Sequence, residues 1–260
     1  MITSSSNAKV KFVRRLQADR RFRNQEKQYV VEGTRWLREL VAMARLPELL
    51  FYTERWLETA VHAHILQQLN SLGQFTALPV SEVVMQAMSD TSTPPGILAV
   101  LPMQPRPLPP TPTLLLVLDA INTPGNLGTM LRTAGAAGVD GVLLGPNCVD
   151  LYNPKVVRGS MGAHLRLPIH SQTWAEIAAT VQGLQVWVAT VEADRVYTAV
   201  NWTQPSAIII GSEAAGAGDE ARQVATHPVT IPMHSQTESL NAAVAAGVLL
   251  FEAARQRRIA

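Results

Sequence analysis

Cysteine is almost absent from this chain: Cys148 is the only one in 260 residues. A single thiol excludes an intrachain disulfide and a zinc site built on paired cysteines, and it reads as a small apolar side chain. No metal is expected. Long apolar runs are missing as well. The stretch from Val244 to Phe251 is far short of the ~20 residues that cross a bilayer, and the opening residues are polar and basic rather than signal-like. A soluble, cytoplasmic protein with no membrane partner is the expectation. Two common nucleotide fingerprints are lacking too. Gly125 and Gly128 do not form G-x-G-x-x-G, and Gly216 is followed by Ala217 and Gly218 where a phosphate loop requires Lys and then Ser or Thr. A nucleotide-cofactor oxidoreductase is therefore disfavoured. No internal repeat is visible.

Lysine is scarce, 4 residues against 18 arginines, a bias that favours planar, bidentate partners such as phosphate. The net charge of +2 hides an uneven distribution. Residues 1–101 hold 12 Lys and Arg against 9 Asp and Glu, whereas the remainder holds 10 against 11. The excess is concentrated in Lys9, Lys11, Arg14, Arg15, Arg20, Arg21 and Arg23, which face only Asp19 within the first 23 residues. That is the footprint of a protein that meets a phosphate backbone, although a solvated helix face has the same composition. Lys155 and Arg158 are further candidates for such contacts.

Six prolines between Pro102 and Pro112 divide the chain, because such a stretch neither pairs in a sheet nor forms a helix. The reading is an N-terminal domain over 1–101, a linker over 102–113 and a C-terminal domain over 114–260. In the first, "YVVEG", "LLFYT" and "GILAV" are short strands between helical patterns at 34–45, 55–70 and 81–88, which makes a small α/β domain. In the second, "LLLVLD", "GVLLG", "QVWVATV", "AIIIG" and "VTIP" are continuous apolar strands. They alternate with helices near 129–137, 154–162, 173–182 and 239–257, the rhythm of a mostly parallel sheet with helices on both faces.

In open α/β sheets, ligands bind beyond the carboxyl ends of the strands, and three loops there are unusual. "DAINTPGNLGTMLRTAGAAG" leaves a hydrocarbon strand through Asn122, Pro124, Gly125, Asn126 and Gly128, then starts an apolar helix carrying Arg132. Asn126 is placed to cap that helix. "IIIGSEAAGAGDE" sets Glu213 directly after a buried strand among glycines. "IPMHSQTESLNAAVAAGVLLFEAARQRR" enters a long helix near Ser239, which has N-cap chemistry. Asn241, within the first turn of an otherwise apolar helix, gains nothing from helix propensity. The small residues Ala242 to Gly247 imply that other backbone approaches closely. His234 is a lone loop histidine, and the sequence has no nucleophile elbow to support Ser-His-Asp catalysis.

The three loops, in this order and spacing, resemble the three motifs of the SpoU (TrmH-like) RNA 2′-O-methyltransferases of the SPOUT superfamily, and "NPKVVRGSMGAHLRLPI" between them is also similar. Residues 2–38 resemble the substrate-binding N-terminal domain attached to many rRNA-modifying members. The resemblance implies a C-terminal SPOUT domain whose last strand and helix form a deep trefoil knot, S-adenosylmethionine as cofactor, and a homodimer. Carried over position by position, it puts Thr190, Gly211, Ile231 and Leu240 at the cofactor. Asn126, Arg132, Glu213, Ser239 and Asn241 then match the catalytic and substrate-positioning residues. The implied reaction is methylation of a ribose 2′-hydroxyl in RNA, with ribosomal RNA favoured by the basic N-terminal domain. Transfer RNA, or a catalytically weak RNA-binding protein on the same fold, is the alternative. One departure bears on the last: the family usually has glycine directly after the motif-two glutamate, where this chain has Ala214. If that position needs positive φ, alanine there is strained.

Overall fold

The computed structural model describes residues 1–234 and 238–259. The chain separates into two compact units, Met1–Gln104 with Tyr152–Leu165, and Pro105–Leu151 with Arg166–Ala260.

The N-terminal unit begins with α1 (Ala8–Ala18) and α2 (Arg20–Glu26). It continues through β1 (Gln28–Glu32), α3 (Thr34–Ala42), β2 (Leu49–Tyr52), α4 (Glu54–Leu57), α5 (Ala60–Leu72), β3 (Thr76–Pro79), α6 (Glu82–Met88) and β4 (Ile97–Pro102). Its four strands lie in the order β1-β4-β2-β3, with β2 and β3 parallel and the other pairs antiparallel. The helical pattern expected over 55–70 divides into α4 and α5, because Thr53 caps one helix through the Trp56 amide and Thr59 precedes the next. Strand β3 escapes a reading by pattern: it has four residues, two of them exposed, so no apolar run marks it.

Helix α1 is amphipathic in a way that its charge conceals. Val10, Val13 and Leu16 are fully buried and pack with Phe22, Val30, Phe51 and Val100. On the opposite face of the sheet, Tyr29, Val31, Leu50, Ile97 and Ala99 pack with Trp36, Leu37, Leu40 and Leu69. Val157 and Leu165 join this second cluster. They come from α8 (Pro154–Ser160) and α9 (Ala163–Arg166), so the segment 152–165 belongs to the N-terminal unit although residues of the C-terminal unit flank it in sequence. A boundary drawn only at the prolines misses this excursion.

The C-terminal unit contains β5 (Leu114–Leu118), α7 (Pro124–Ala137), β6 (Gly141–Leu144), β7 (Ile169–Ser171), α10 (Trp174–Thr180), β8 (Gln185–Ala189), β9 (Ser206–Ile210), α11 (Asp219–Val224), β10 (His227–Val229) and α12 (Ala242–Ile259). All six strands are parallel, in the order β10-β8-β9-β5-β6-β7. Alternate residues of each strand face opposite ways. Leu115, Val117, Leu143, Val186, Val188, Ala207 and Ile209 pack beneath Trp174 and Ile177 of α10 and Ala221 of α11. Helices α7 and α12 pack against each other, and α12 also lies along β9. The proline-rich segment is not a free linker. Pro102 closes β4, Leu108 packs into the core beside α10, and the Arg106 carbonyl hydrogen-bonds the His170 ring at 2.8 Å.

Three boundaries differ from the sequence expectation and bear on the site. Helix α7 starts at Pro124 rather than near 129, since proline suits a first helical position whose amide would be unpaired anyway. Helix α12 starts at Ala242 rather than Ser239. Strand β10 ends at Val229, so only its last residue lies in the expected "VTIP" run.

Candidate active site

The three unusual loops follow β5, β9 and β10 and come together at the carboxyl ends of these strands. Asn126 sits in the first turn of α7, but it does not cap that helix; Thr123 holds the cap position without a side-chain hydrogen bond. The Asn126 amide reaches outward instead. Its Nδ2 donates to Glu213 Oε1 at 2.5 Å, and its Oδ1 accepts from Asn241 Nδ2 at 3.1 Å. Asn241 in turn accepts through Oδ1 from the amides of Ala243 and Val244 at 2.9 and 3.3 Å. The cap assigned to Ser239 thus belongs to Asn241, whose side-chain amide extends the series Asn241, Asn126, Glu213. One residue from each motif contributes.

Glu213 also lines a cavity of about 330 Å³, within the size range of small-molecule sites. Its walls come from residues 189–192 at the end of β8 and beyond, 210–217 at the end of β9 and beyond, and Val229, Ile231, Met233, Ser239, Leu240, Ala242 and Ala245. Thr190, Gly211, Ile231 and Leu240 all lie in this wall. The lining is mostly apolar, with Glu192 and Glu213 as its carboxylates and Arg222, whose Nε donates to the Ala217 carbonyl at 3.0 Å. Apolar walls suit an adenine, and two carboxylates suit a ligand carrying positive charge, so the residues fit S-adenosylmethionine. Met233 belongs to the third loop but nothing singles it out within that loop, and Glu192 carries no motif that marks it in the sequence; it follows Thr190 by two positions, in a loop after a buried strand.

The motif-two loop is a tight, internally bonded turn. Ser212 and Gly216 exchange backbone hydrogen bonds at 2.8 and 3.0 Å, and Ser212 Oγ accepts from the Ala215 amide at 3.1 Å. A Cβ on Gly211 would fall 2.1 Å from the Ala217 nitrogen, so no side chain fits there. The residue in the left-handed region is Gly216, at φ 67°; Ala214 is not among the positive-φ residues. Alanine after Glu213 therefore imposes no backbone strain, and the departure from the usual glycine costs the loop nothing in this respect.

Arg132 is exposed, on a stripe of α7 with Gly125, Thr129 and Ala136. Six residues of helix turn the chain by about 240° from Asn126, so helix geometry alone does not set the two side by side. Cys148 is half-buried and its Sγ lies 3.4 Å from the Leu118 carbonyl. Burial pushes its thiol up to about 11, the opposite of an activated nucleophile. Ser235, Gln236 and Thr237 of the third motif lie outside the described residues.

In the N-terminal unit, Lys9, Lys11, Arg14, Arg20 and Arg21 are exposed, as expected of phosphate-contacting groups. Arg15 lies over the Phe22 ring at 4.1 Å and 3.9 Å from Asp19. Arg158 pairs with Asp90. Arg23 departs from the expectation. It is 4% exposed, and its Nη1 donates to the carbonyls of Leu16 and Gln17 at 2.6 and 3.0 Å, closing the end of α1 instead of facing solvent.

Residues 113–251 match the SpoU rRNA Methylase family, and residues 7–99 match an MRM3-like substrate binding domain. The chain is 37% identical to an uncharacterized tRNA/rRNA methyltransferase of Synechocystis, over 98% of this chain and 94% of that protein. It is 30% identical to the 23S rRNA (guanosine(2553)-2′-O)-methyltransferase of Bacillus subtilis, over 96% and 97%. The AdoMet-bound rRNA methyltransferase of Sinorhizobium meliloti superposes with a TM-score of 0.87 at 26% identity, covering 98% of this chain and 97% of that one. With its methylase region and its substrate-binding region both matched, the chain belongs to the SpoU rRNA methylase family.

Proposed function

We propose that this protein transfers the methyl group of S-adenosylmethionine to a ribose 2′-hydroxyl of ribosomal RNA. The observation that carries the reading is the position of Glu213, which lines the cavity and is tied through Asn126 to Asn241. Thr190, Gly211, Ile231 and Leu240 would hold the cofactor, which supplies an activated sulfonium methyl when bound. The remaining task is to orient the attacking hydroxyl and to accept the charge that develops on it. Orientation alone is worth ~7–11 kcal/mol in favourable systems. Glu213 and Asn126 orient the ribose, with Ser239 and Asn241 holding the loop and substrate beside them. Arg132 stabilises the developing alkoxide: a guanidinium keeps its protons at neutral pH, so it serves as an electrostatic partner and not as the base. Its exposure leaves it available to substrate.

The exposed cations of α1 and α2 would contact the RNA backbone. We assign the C-terminal segment to a trefoil knot, a reading supported by the small buried residues Ala242, Ala243 and Ala246 of α12. A homodimer is supported by α12 as well. Leu249 and Leu250 are buried within the unit, whereas Val244 and Phe251 stand 51% and 47% exposed on one stripe. Incubation with labelled donor and total RNA from cells lacking the protein tests the function. Label on a ribose 2′-oxygen is expected, and label on a base would overturn it.

A further inference from the structure

The contact between Asn126 and Glu213 joins two loops at their tips, and a second contact joins the same loops at their roots. Asp119 directly follows β5 and is 6% exposed. Its backbone amide donates to the Ile210 carbonyl of β9 at 2.9 Å. Its Oδ2 accepts from the Gly218 amide at 2.7 Å, at the point where the motif-two loop turns into α11. Directly after it, Ala120 takes a left-handed conformation at φ 51°, which turns the chain towards α7 and Asn126. Asp119 is therefore a side chain at the base of the first loop that grips the far end of the second.

The motif-two loop would transmit that grip. Ser212 and Gly216 bond each other in both directions, and Gly211 packs so tightly on Gly216 and Ala217 that no Cβ fits. A turn with so little internal freedom moves as one body, so the position of its root sets the position of its tip. We infer that Asp119 is a positioning residue for methyl transfer, fixing through Gly218 the place at which the 211–218 loop presents Glu213 to Asn126 and closes one wall of the cofactor cavity. The inference rests on the function proposed above.

Three variants test it: Asp119→Ala, Asp119→Asn and Asp119→Glu, each read by melting temperature, calorimetric titration with S-adenosylmethionine and single-turnover methylation. Asp119→Asn keeps an oxygen that accepts from Gly218, so it should remain near wild type. Asp119→Glu keeps a carboxylate but sets it one methylene further along, and a shift of that order should lower turnover by about 10²-fold and weaken cofactor binding. Asp119→Ala should do the same, with an added fall in stability because the Gly218 amide is left without its partner. The glutamate variant keeps the test sound where alanine unfolds the protein. Combining Asp119→Glu with Asn126→Ala should be little slower than Asn126→Ala alone, since both act through Glu213. If Asp119→Glu binds cofactor and turns over like wild type, or if the two substitutions add fully, the inference falls while the function stands. Wild-type protein that fails to bind the cofactor would overturn both.

Discussion

Asn126 and Glu213 stand 87 positions apart in the chain, and Nδ2 of the first donates to Oε1 of the second at 2.5 Å. The contact makes a specific demand on Asn126, because the same amide also accepts from Asn241. Asn126→Ala removes both bonds and should slow single-turnover methylation by about 10²-fold, the scale of a 1 Å misplacement at a reacting centre. Asn126→Asp, which sets a carboxylate against Glu213, should be no better. A wild-type rate in Asn126→Asp would show that Glu213 needs no donor there.

What the sequence reveals and what it hides follow from physical causes. Strands β5 and β9 are legible because they are buried on both faces, so that β5 is written entirely in Leu and Val and β9 ends in three isoleucines. Strand β7 and helix α11, with three and six residues, are held by their neighbours rather than by any pattern of their own. The cap is exchanged between Ser239 and Asn241 because both residue types cap well, and sequence does not say which one the helix begins behind. Arg23 groups with its neighbours in sequence because a charge tally cannot tell a guanidinium in solvent from one that closes a helix on two carbonyls. The excursion of 152–165 is invisible for a similar reason: Val157 and Leu165 would be apolar against either unit.

The buried residues of the N-terminal helices decide how RNA binding should be probed. Deleting residues 1–23 would remove Val10, Val13, Leu16 and Phe22 from the core. At about 1.5–3 kcal/mol each, that deletion approaches the whole stability of a domain. Point substitutions are the cleaner test. Alanine at Lys9, Lys11, Arg14, Arg20 and Arg21 should weaken RNA binding and reduce its salt slope by roughly 0.7–0.9 for each phosphate no longer neutralised, with cofactor affinity unchanged. Arg23→Ala should leave the salt slope alone and lower the melting temperature. Filter binding across a salt series checks both, and an unchanged slope in the fivefold variant would assign recognition elsewhere.

Cys148 should be inert. With its thiol pushed up to about 11 by burial, fewer than about one in a thousand side chains is thiolate at neutral pH, so alkylation should be far slower than for a free thiol. The folded value lies above the unfolded one of about 8.5, so the associated stability is present in full below pH 8.5 and is lost as pH rises towards 11. The melting-temperature difference between wild type and Cys148→Ser should therefore shift against wild type across that window. A pH-independent difference, with rapid alkylation at pH 7, would contradict the assignment.

The exposed stripe of α12 predicts assembly. Val244→Asp combined with Phe251→Asp alters two side chains that are half exposed, so the fold of one chain should survive while a dimer would have to bury like-charged carboxylates at its centre. Light scattering at micromolar concentration should give twice the 28.2 kDa of one chain for wild type and a single-chain mass for the variant. A wild-type mass of one chain would remove the dimer.

Arg132 separates binding from chemistry. It is exposed on α7 and outside the cavity wall, so its removal should leave S-adenosylmethionine affinity unchanged. If its guanidinium stabilises the alkoxide, Arg132→Ala should lower turnover by roughly 10²–10³, the scale seen when one such donor is removed. Arg132→Lys keeps the charge but not the planar fork, and it should remain substantially impaired. A residue that merely braced α7 would behave differently, because both variants would then drop in melting temperature together with activity. Calorimetric cofactor titration beside single-turnover methylation distinguishes the two cases. A near-wild-type single-turnover rate in Arg132→Ala would take the arginine out of the mechanism and leave charge stabilisation to the asparagine amides beside Glu213.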